Sequence, residues 1–284
     1  MSILKFNWLS PVLYLSLIYF FFSGQMHSQS KGAAKARIVS NGYSADKDSS
    51  IQIGVLIELA NGWHIYWKNP GDSGMPTSIE WNIPQEVQFT QMQWPFPMAF
   101  EFEGLVSYGY EDRVLFITDI ILPKNDNSQI LNMSVKIKSL LCKDFCIPFD
   151  TTINFTVDVR KDYTADENIS GLFVKTKNAL PITGDNIGLS ARINSDQIYL
   201  RIDKSSDYYL NSGSMNFIPY ENGFFKNSLS QNLVLDKDYI ELVLEADPLR
   251  IKDPKELYGL LITNSNSDKS ISRKAFEIRI PISE

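Results

Sequence analysis

The chain is poor in the residues that most often carry chemistry. Its 284 residues include two cysteines, Cys142 and Cys146, and two histidines, His27 and His64. A closed zinc site takes four ligands, so a zinc centre is poorly supplied. Linear Cu(I) coordination by two soft thiolates stays open. A Ser-His-Asp hydrolase has His64 as its one plausible base, and no G-x-S-x-G turn precedes a helix. Positive charge is scarce too. Lys and Arg number 27 against 33 Asp and Glu, the net charge is −6, and no basic cluster or basic amphipathic helix occurs. That balance argues against a nucleic-acid partner. After residue 22, no segment approaches the length of a membrane span.

What the chain does have begins with an address. Lys5 precedes an almost unbroken apolar run from Trp8 to Phe22. The run has the length of a signal-peptide h-region and is short for a spanning helix. Residues 1–28 are read as a secretory signal, with Gly24 and Ser28 as alternative cleavage sites and an uncleaved anchor as the other reading. No cysteine lies near the end of the run, so lipidation is not available there. The mature protein is expected outside the cytoplasm, in a compartment where disulfides persist. Membrane contact is then expected only through a partner or an uncleaved leader.

The dominant pattern beyond the polar leader is short β-rich runs. "IQIGVLIEL" (51–59), "VLFITDIIL" (114–122), "LNMSVKIKSLL" (131–141) and "TTINFTVDV" (151–159) are strand-like. Turn clusters such as "NPGDSG" (69–74) separate them. Strands resume at 187–194, 197–203, 239–246, 257–263 and 274–282. Between the two sets, "GLFVKTKNALP" (171–181) reads as a short connecting helix stopped by Pro181. The expected fold is all-β: two consecutive Ig-like β-sandwich domains, 35–160 and 171–284, after the signal segment. The second half holds no cysteine and no histidine, and its role is not readable.

"LLCKDFCIPF" (140–149) carries both cysteines. A strand-like run ends at Cys142 and another starts at Cys146, so Lys143, Asp144 and Phe145 fit a hairpin connection. Residues opposed across such a pair are close enough for a disulfide. Closing a loop of about five residues is worth only about 2 kcal/mol. A weakly stabilising, exposed disulfide suits exchange better than stapling, yet hairpin staples are common in secreted proteins, and spacing leaves both readings open. Lys143 favours a thiolate and Asp144 opposes it. A redox pair also needs shielding. The aromatic stretch "FPMAFEFEG" (96–104), with Phe96, Phe100 and Phe102 and a hinge at Gly104, is a candidate mobile cover. Sandwich packing is its bland explanation.

Three segments in order, "NGWHIYWKNPGDSGMPTSIEW" (61–81), "WPFPMAFEFEGLVSYGYEDRV" (94–114) and "LLCKDFCIPF" (140–149), resemble the amino-terminal periplasmic domain of the thiol:disulfide interchange protein DsbD. They are closest to its ScsB, copper-sensitivity-suppressor, branch. The likeness covers about 35–160 and continues faintly through "MNFIPYENGFF" (215–225). It implies an Ig-like sandwich whose disulfide relays reducing equivalents, with no cofactor besides that disulfide. By this resemblance Cys142 and Cys146 are the exchanging pair and Cys146 forms the mixed disulfide. Phe102 is the aromatic that caps the site and Tyr66 lines it. The implied partners are thioredoxin-fold proteins and a membrane electron-transfer protein, and the implied location is the periplasm of a Gram-negative envelope. The cysteines of DsbD itself are spaced further apart. This chain stops at Glu284 without the membrane and thioredoxin-like domains, so those partners are expected to be separate proteins. The competing readings are a non-enzymatic envelope module, with "WHIYWKNPGDSG" and "QWPFP" as a binding platform beside a structural disulfide, and a Cu(I)-binding protein.

Overall fold

The computed structural model describes residues 32–45, 49–85, 87–122, 130–204, 214–267 and 270–283. The signal segment and His27 lie outside them. Among the described residues the fold is all-β and Ig-like, with a single helix.

The first sandwich pairs two sheets. One is ordered β1 (Ala34–Ser40), β2 (Ser50–Leu59), β8 (Arg113–Ile121), β5 (Gln88–Phe89). The other is ordered β10 (Cys146–Asp158), β9 (Ile130–Cys142), β3 (His64–Gly71), β7 (Leu105–Glu111), β6 (Met98–Phe102), with β4 (Ser78–Asn82) also on β9. Side chains alternate across a strand. Thus Leu131, Met133, Val135, Ile137, Ser139 and Leu141 of β9 are buried inward, where Val135, Ile137 and Leu141 join Ile65 and Trp67 of β3 against Val55, Ile57 and Phe116.

β2 and β8 are apolar on both faces for a reason the sequence did not show. Helix α1 (Glu167–Asn178) lies on their outer side and seats a fully buried Phe173 among Leu56, Leu115 and Ile117. The helix starts four residues before the expected span. Asp166 caps it, its carboxylate accepting from the Ile169 N–H at 2.9 Å, a strong start signal. It is a packed layer as well as a connector. A second difference concerns "FPMAFEFEG". Met98–Phe102 is a strand paired with β7, closed by the two-residue turn Glu103–Gly104 with both φ positive, 52° and 81°. That is the geometry hairpins favour.

The second half is a longer sheet folded on itself, ordered β14 (Ser214–Pro219), β17 (Glu256–Ser267), β18 (Ser270–Ser283), β12 (Leu189–Asn194), β13 (Gln197–Asp203), β16 (Tyr239–Glu245), β15 (Asn232–Leu235), with β11 (Ile182–Thr183) on β18. Ile198, Leu200, Leu242 and Leu244 close its core over Phe217, Leu261, Phe276 and Ile278. The two halves share apolar surface. Ile218, Leu260, Ile262 and Ala275 sit in the same buried cluster as Trp67 and Val106 of the first.

Candidate redox site

Strand β9 ends at Cys142 and β10 begins at Cys146, and the two are directly opposed with Cα atoms 4.1 Å apart and a disulfide between them. The turn is held by the Lys143 N–H on the Phe145 carbonyl (3.1 Å) and by Lys143 Nζ on the Asn61 carbonyl (3.3 Å). Pairing continues sideways, with Cys142 opposite His64 of β3 and His64 opposite Glu111 of β7. Residues in one such row project from the same face of a sheet. Since Ile65 and Leu141 point into the core, the disulfide and His64 stand on the outer face.

The two sulfurs occupy different environments. Cys142 is 3% exposed, although it points outward, whereas Cys146 is exposed. Cys146 is on the edge strand β10, whereas Cys142 lies between β10 and β3, beside Tyr66 of β3, which is itself 3% exposed. Its hydroxyl donates to Cys142 Sγ at 3.1 Å and stands 3.9 Å from Cys146 Sγ. Burial pushes the Tyr66 phenol up, partly offset by a hydrogen bond with Ser73, so the hydroxyl keeps its proton. The segment 72–77 closes over the ring. Gly74 has φ +95°, and a β-carbon there would lie 2.3 Å from the Tyr66 ring, so only glycine fits. Further on, the Thr77 hydroxyl bonds the Tyr66 carbonyl and Ser139 Oγ.

Aromatics border the pair. His64 meets Tyr66 edge-on at 5.3 Å and stacks on Phe100 at 5.0 Å and 18°. Burial holds the imidazole below its ordinary pKa. Phe145, in the turn and 61% exposed, meets Trp63 edge-on at 5.5 Å. Phe102 lies at the end of β6, 67% exposed, with no ring–ring contact among the described residues. The structure therefore brings Cys142, Cys146 and Tyr66 together and sets Phe102 on the same sheet face at a hairpin end. The ring stacked on the site's histidine belongs to Phe100. Sequence reading missed the Phe100–His64 stack and the glycine over Tyr66. Alternation along "MAFEF" does carry the first, because it puts Met98, Phe100 and Phe102 on one face. Among the described residues no three or more His, Cys, Asp or Glu side chains converge as a metal site, and no helix is long and apolar enough to cross a membrane.

The site is thus a disulfide at an outward hairpin end of an Ig-like sandwich, with Cys146 open and Cys142 buried against a phenol. Residues 36–158 match the family described as thiol:disulfide interchange protein DsbD, N-terminal. That span coincides with the first sandwich and with the three segments that carried the resemblance. The crystal structure of the N-terminal periplasmic domain of ScsB from Proteus mirabilis is similar in fold, with TM-score 0.64 and 18% identity over 91% of this chain and 97% of that one. The YadV chaperone and the collagen adhesin of S. aureus follow at TM-scores of 0.20 and 0.17, with 11% and 7% identity over 85% and 89% of this chain and 99% and 94% of theirs, too low to carry an argument. No curated protein matches.

Proposed function

We propose that this protein is a thiol–disulfide interchange component of a bacterial envelope, passing reducing equivalents through Cys142–Cys146 to or from thioredoxin-fold partners. The family match over residues 36–158 supports interchange in general. The observation that carries the residue assignment is the asymmetry of the pair, Cys146 open and Cys142 buried beside the Tyr66 hydroxyl. A partner thiolate can approach Cys146 Sγ alone. It forms the intermolecular S–S bond there, the Cys142–Cys146 bond breaks, and its electron pair stays on Cys142. A second partner thiolate then attacks the partner's own sulfur in the mixed disulfide and releases Cys146 as a thiolate. The partner leaves oxidised and this protein is left with two thiols. A leaving thiol of low pKa departs faster, and a hydrogen bond to the departing thiolate lowers that pKa. The exposed Phe145 supplies apolar surface in the turn between the cysteines, and Met98, Phe102 and Leu105 are exposed along the β6–β7 hairpin. Delivery from a membrane electron-transfer protein and a periplasmic location belong to the same proposal.

The test is trapping. Cys142→Ser leaves Cys146 free to capture a thioredoxin-fold protein as a stable mixed disulfide, while Cys146→Ser captures far less. A reduction potential below about −300 mV, where structural disulfides lie, or equal trapping by both variants, sinks the assignment.

A further inference from the structure

The second half of the chain has no cysteine or histidine, yet it grips the residues that lead into the segment over Tyr66. Residues 67–71 form the end of β3, where the register with β7 breaks between Tyr66 and Gly71, and Asp72 follows directly. Five of these six residues meet the second half. Trp67 packs on Tyr220 at 5.5 Å, and Lys68 Nζ lies 3.9 Å above the same ring. The buried Asn69 donates from Nδ2 to the Pro219 carbonyl at 2.7 Å and accepts from the Gly71 N–H at 3.0 Å. Asn222 Nδ2 donates to the Gly71 carbonyl at 2.6 Å. Asn227 Nδ2 donates to Asp72 Oδ1 at 2.7 Å, and its Oδ1 accepts from the Tyr108 hydroxyl at 3.0 Å. The other Asp72 oxygen accepts from the Val106 N–H at 2.8 Å.

Immediately after this grip come Ser73, which meets Ser107 at 2.8 Å, and Gly74, which lies flat on the Tyr66 ring. We propose that the second sandwich is a positioning element of the redox site: by fixing 69–72 it seats Ser73 and Gly74 on Tyr66 and so holds the Tyr66 hydroxyl on Cys142 Sγ. This rests on the interchange reading for its use. Its physical content is that a hydrogen bond preorganised toward the buried sulfur favours the reduced form, because a thiolate accepts it more strongly than a disulfide sulfur does. Asn227 and Asn222 act through Asp72 and Gly71 and touch neither sulfur.

The test uses the full chain with Tyr66→Phe, Asn227→Ala, Asn222→Ala and the Tyr66→Phe/Asn227→Ala double variant. Two readouts need no protein partner: the equilibrium of the disulfide with small-thiol redox buffers, and the pH titration of Cys142 thiolate absorbance in a Cys146→Ser background. Tyr66→Phe is expected to lower the equilibrium constant for reduction about tenfold, about 30 mV, and to raise the Cys142 pKa by about one unit, the same tenfold factor. Asn227→Ala shifts both in the same direction by a smaller factor and adds nothing in the Tyr66→Phe background. Asn222, whose side chain is on the surface, gives a variant that decides the matter if Asn227→Ala does not fold. Parent values in folded Asn227→Ala and Asn222→Ala, or full additivity with Tyr66→Phe, overturn the proposal. A parent protein that equilibrates with small thiols but exchanges with no thioredoxin-fold protein overturns the interchange reading instead.

Discussion

The two outer faces of the first sandwich are both partly buried, by different means. On one, α1 lays Phe173 on Leu56, Leu115 and Ile117, an all-apolar contact. On the other, segment 72–77 lays a glycine on Tyr66, whose hydroxyl meets a sulfur. An apolar cover contributes stability in proportion to area and does no chemistry. A polar cover contributes less and holds a reactive group in a dry, ordered setting, where a hydrogen bond to a charged sulfur counts for more than in water. The fold thus separates a stabilising face from a reactive one within one domain.

Breaking the helix face should produce the largest effect. Phe173 is fully buried, and Phe173→Ala removes a large side chain whose site cannot fully collapse, at a cost of about 3–5 kcal/mol. Urea unfolding should show the loss, while the reduction potential of the folded variant stays at the parent value. A shifted potential would mean that the two faces are not independent.

The matching change on the other face is Gly74→Ala. Its positive φ and the 2.3 Å approach to the Tyr66 ring leave no space for a methyl group, so the loop or the ring must move. Strain of this kind costs about 1–3 kcal/mol, less than the helix lesion. Here stability and potential should change together, the potential becoming more negative as the Tyr66 hydroxyl leaves Cys142. A stable variant with parent potential would remove the loop from the account of the site.

These contrasts follow how the chain could be read. The β9–β10 hairpin was legible to its last residue, because alternation and a three-residue turn both place Cys142 opposite Cys146. The all-β class was legible from the same periodicity. The helix begins four residues before the expected span, since Asp166 and Glu167 sit in a polar stretch that reads as linker. "MAFEF", whose aromatics and following glycine suit a mobile cover, is an edge strand whose alternation is too short to stand out. The grip on 69–72 was out of reach. Asn69, Asp72, Asn222 and Asn227 look like ordinary turn residues, and their contacts join positions 150 to 155 apart in the chain. Nothing local marks such a contact, whereas local pattern is what a single sequence shows.

The smallest expected effect sharpens the comparison on the reactive face alone. His64 stacks on Phe100 beside Tyr66, and burial holds its pKa below the ordinary value of about 6.5. The unfolded chain therefore takes up a proton at this residue before the native protein does. Stability is at its full value above the unfolded pKa, falls as pH drops through about 6.5, and levels off below the native pKa. Glu111 stands opposite His64 in register, but burial alone accounts for the direction of the shift. His64→Phe keeps an aromatic against Phe100 and removes the titration. Urea midpoints at pH 7.5 and 5.5 should differ less in this variant than in the parent, after the carboxylate contribution common to both is subtracted. Equal pH dependence in parent and variant would show that the imidazole titrates as if in water, and the outer face at the disulfide would then be wetter than its packing implies.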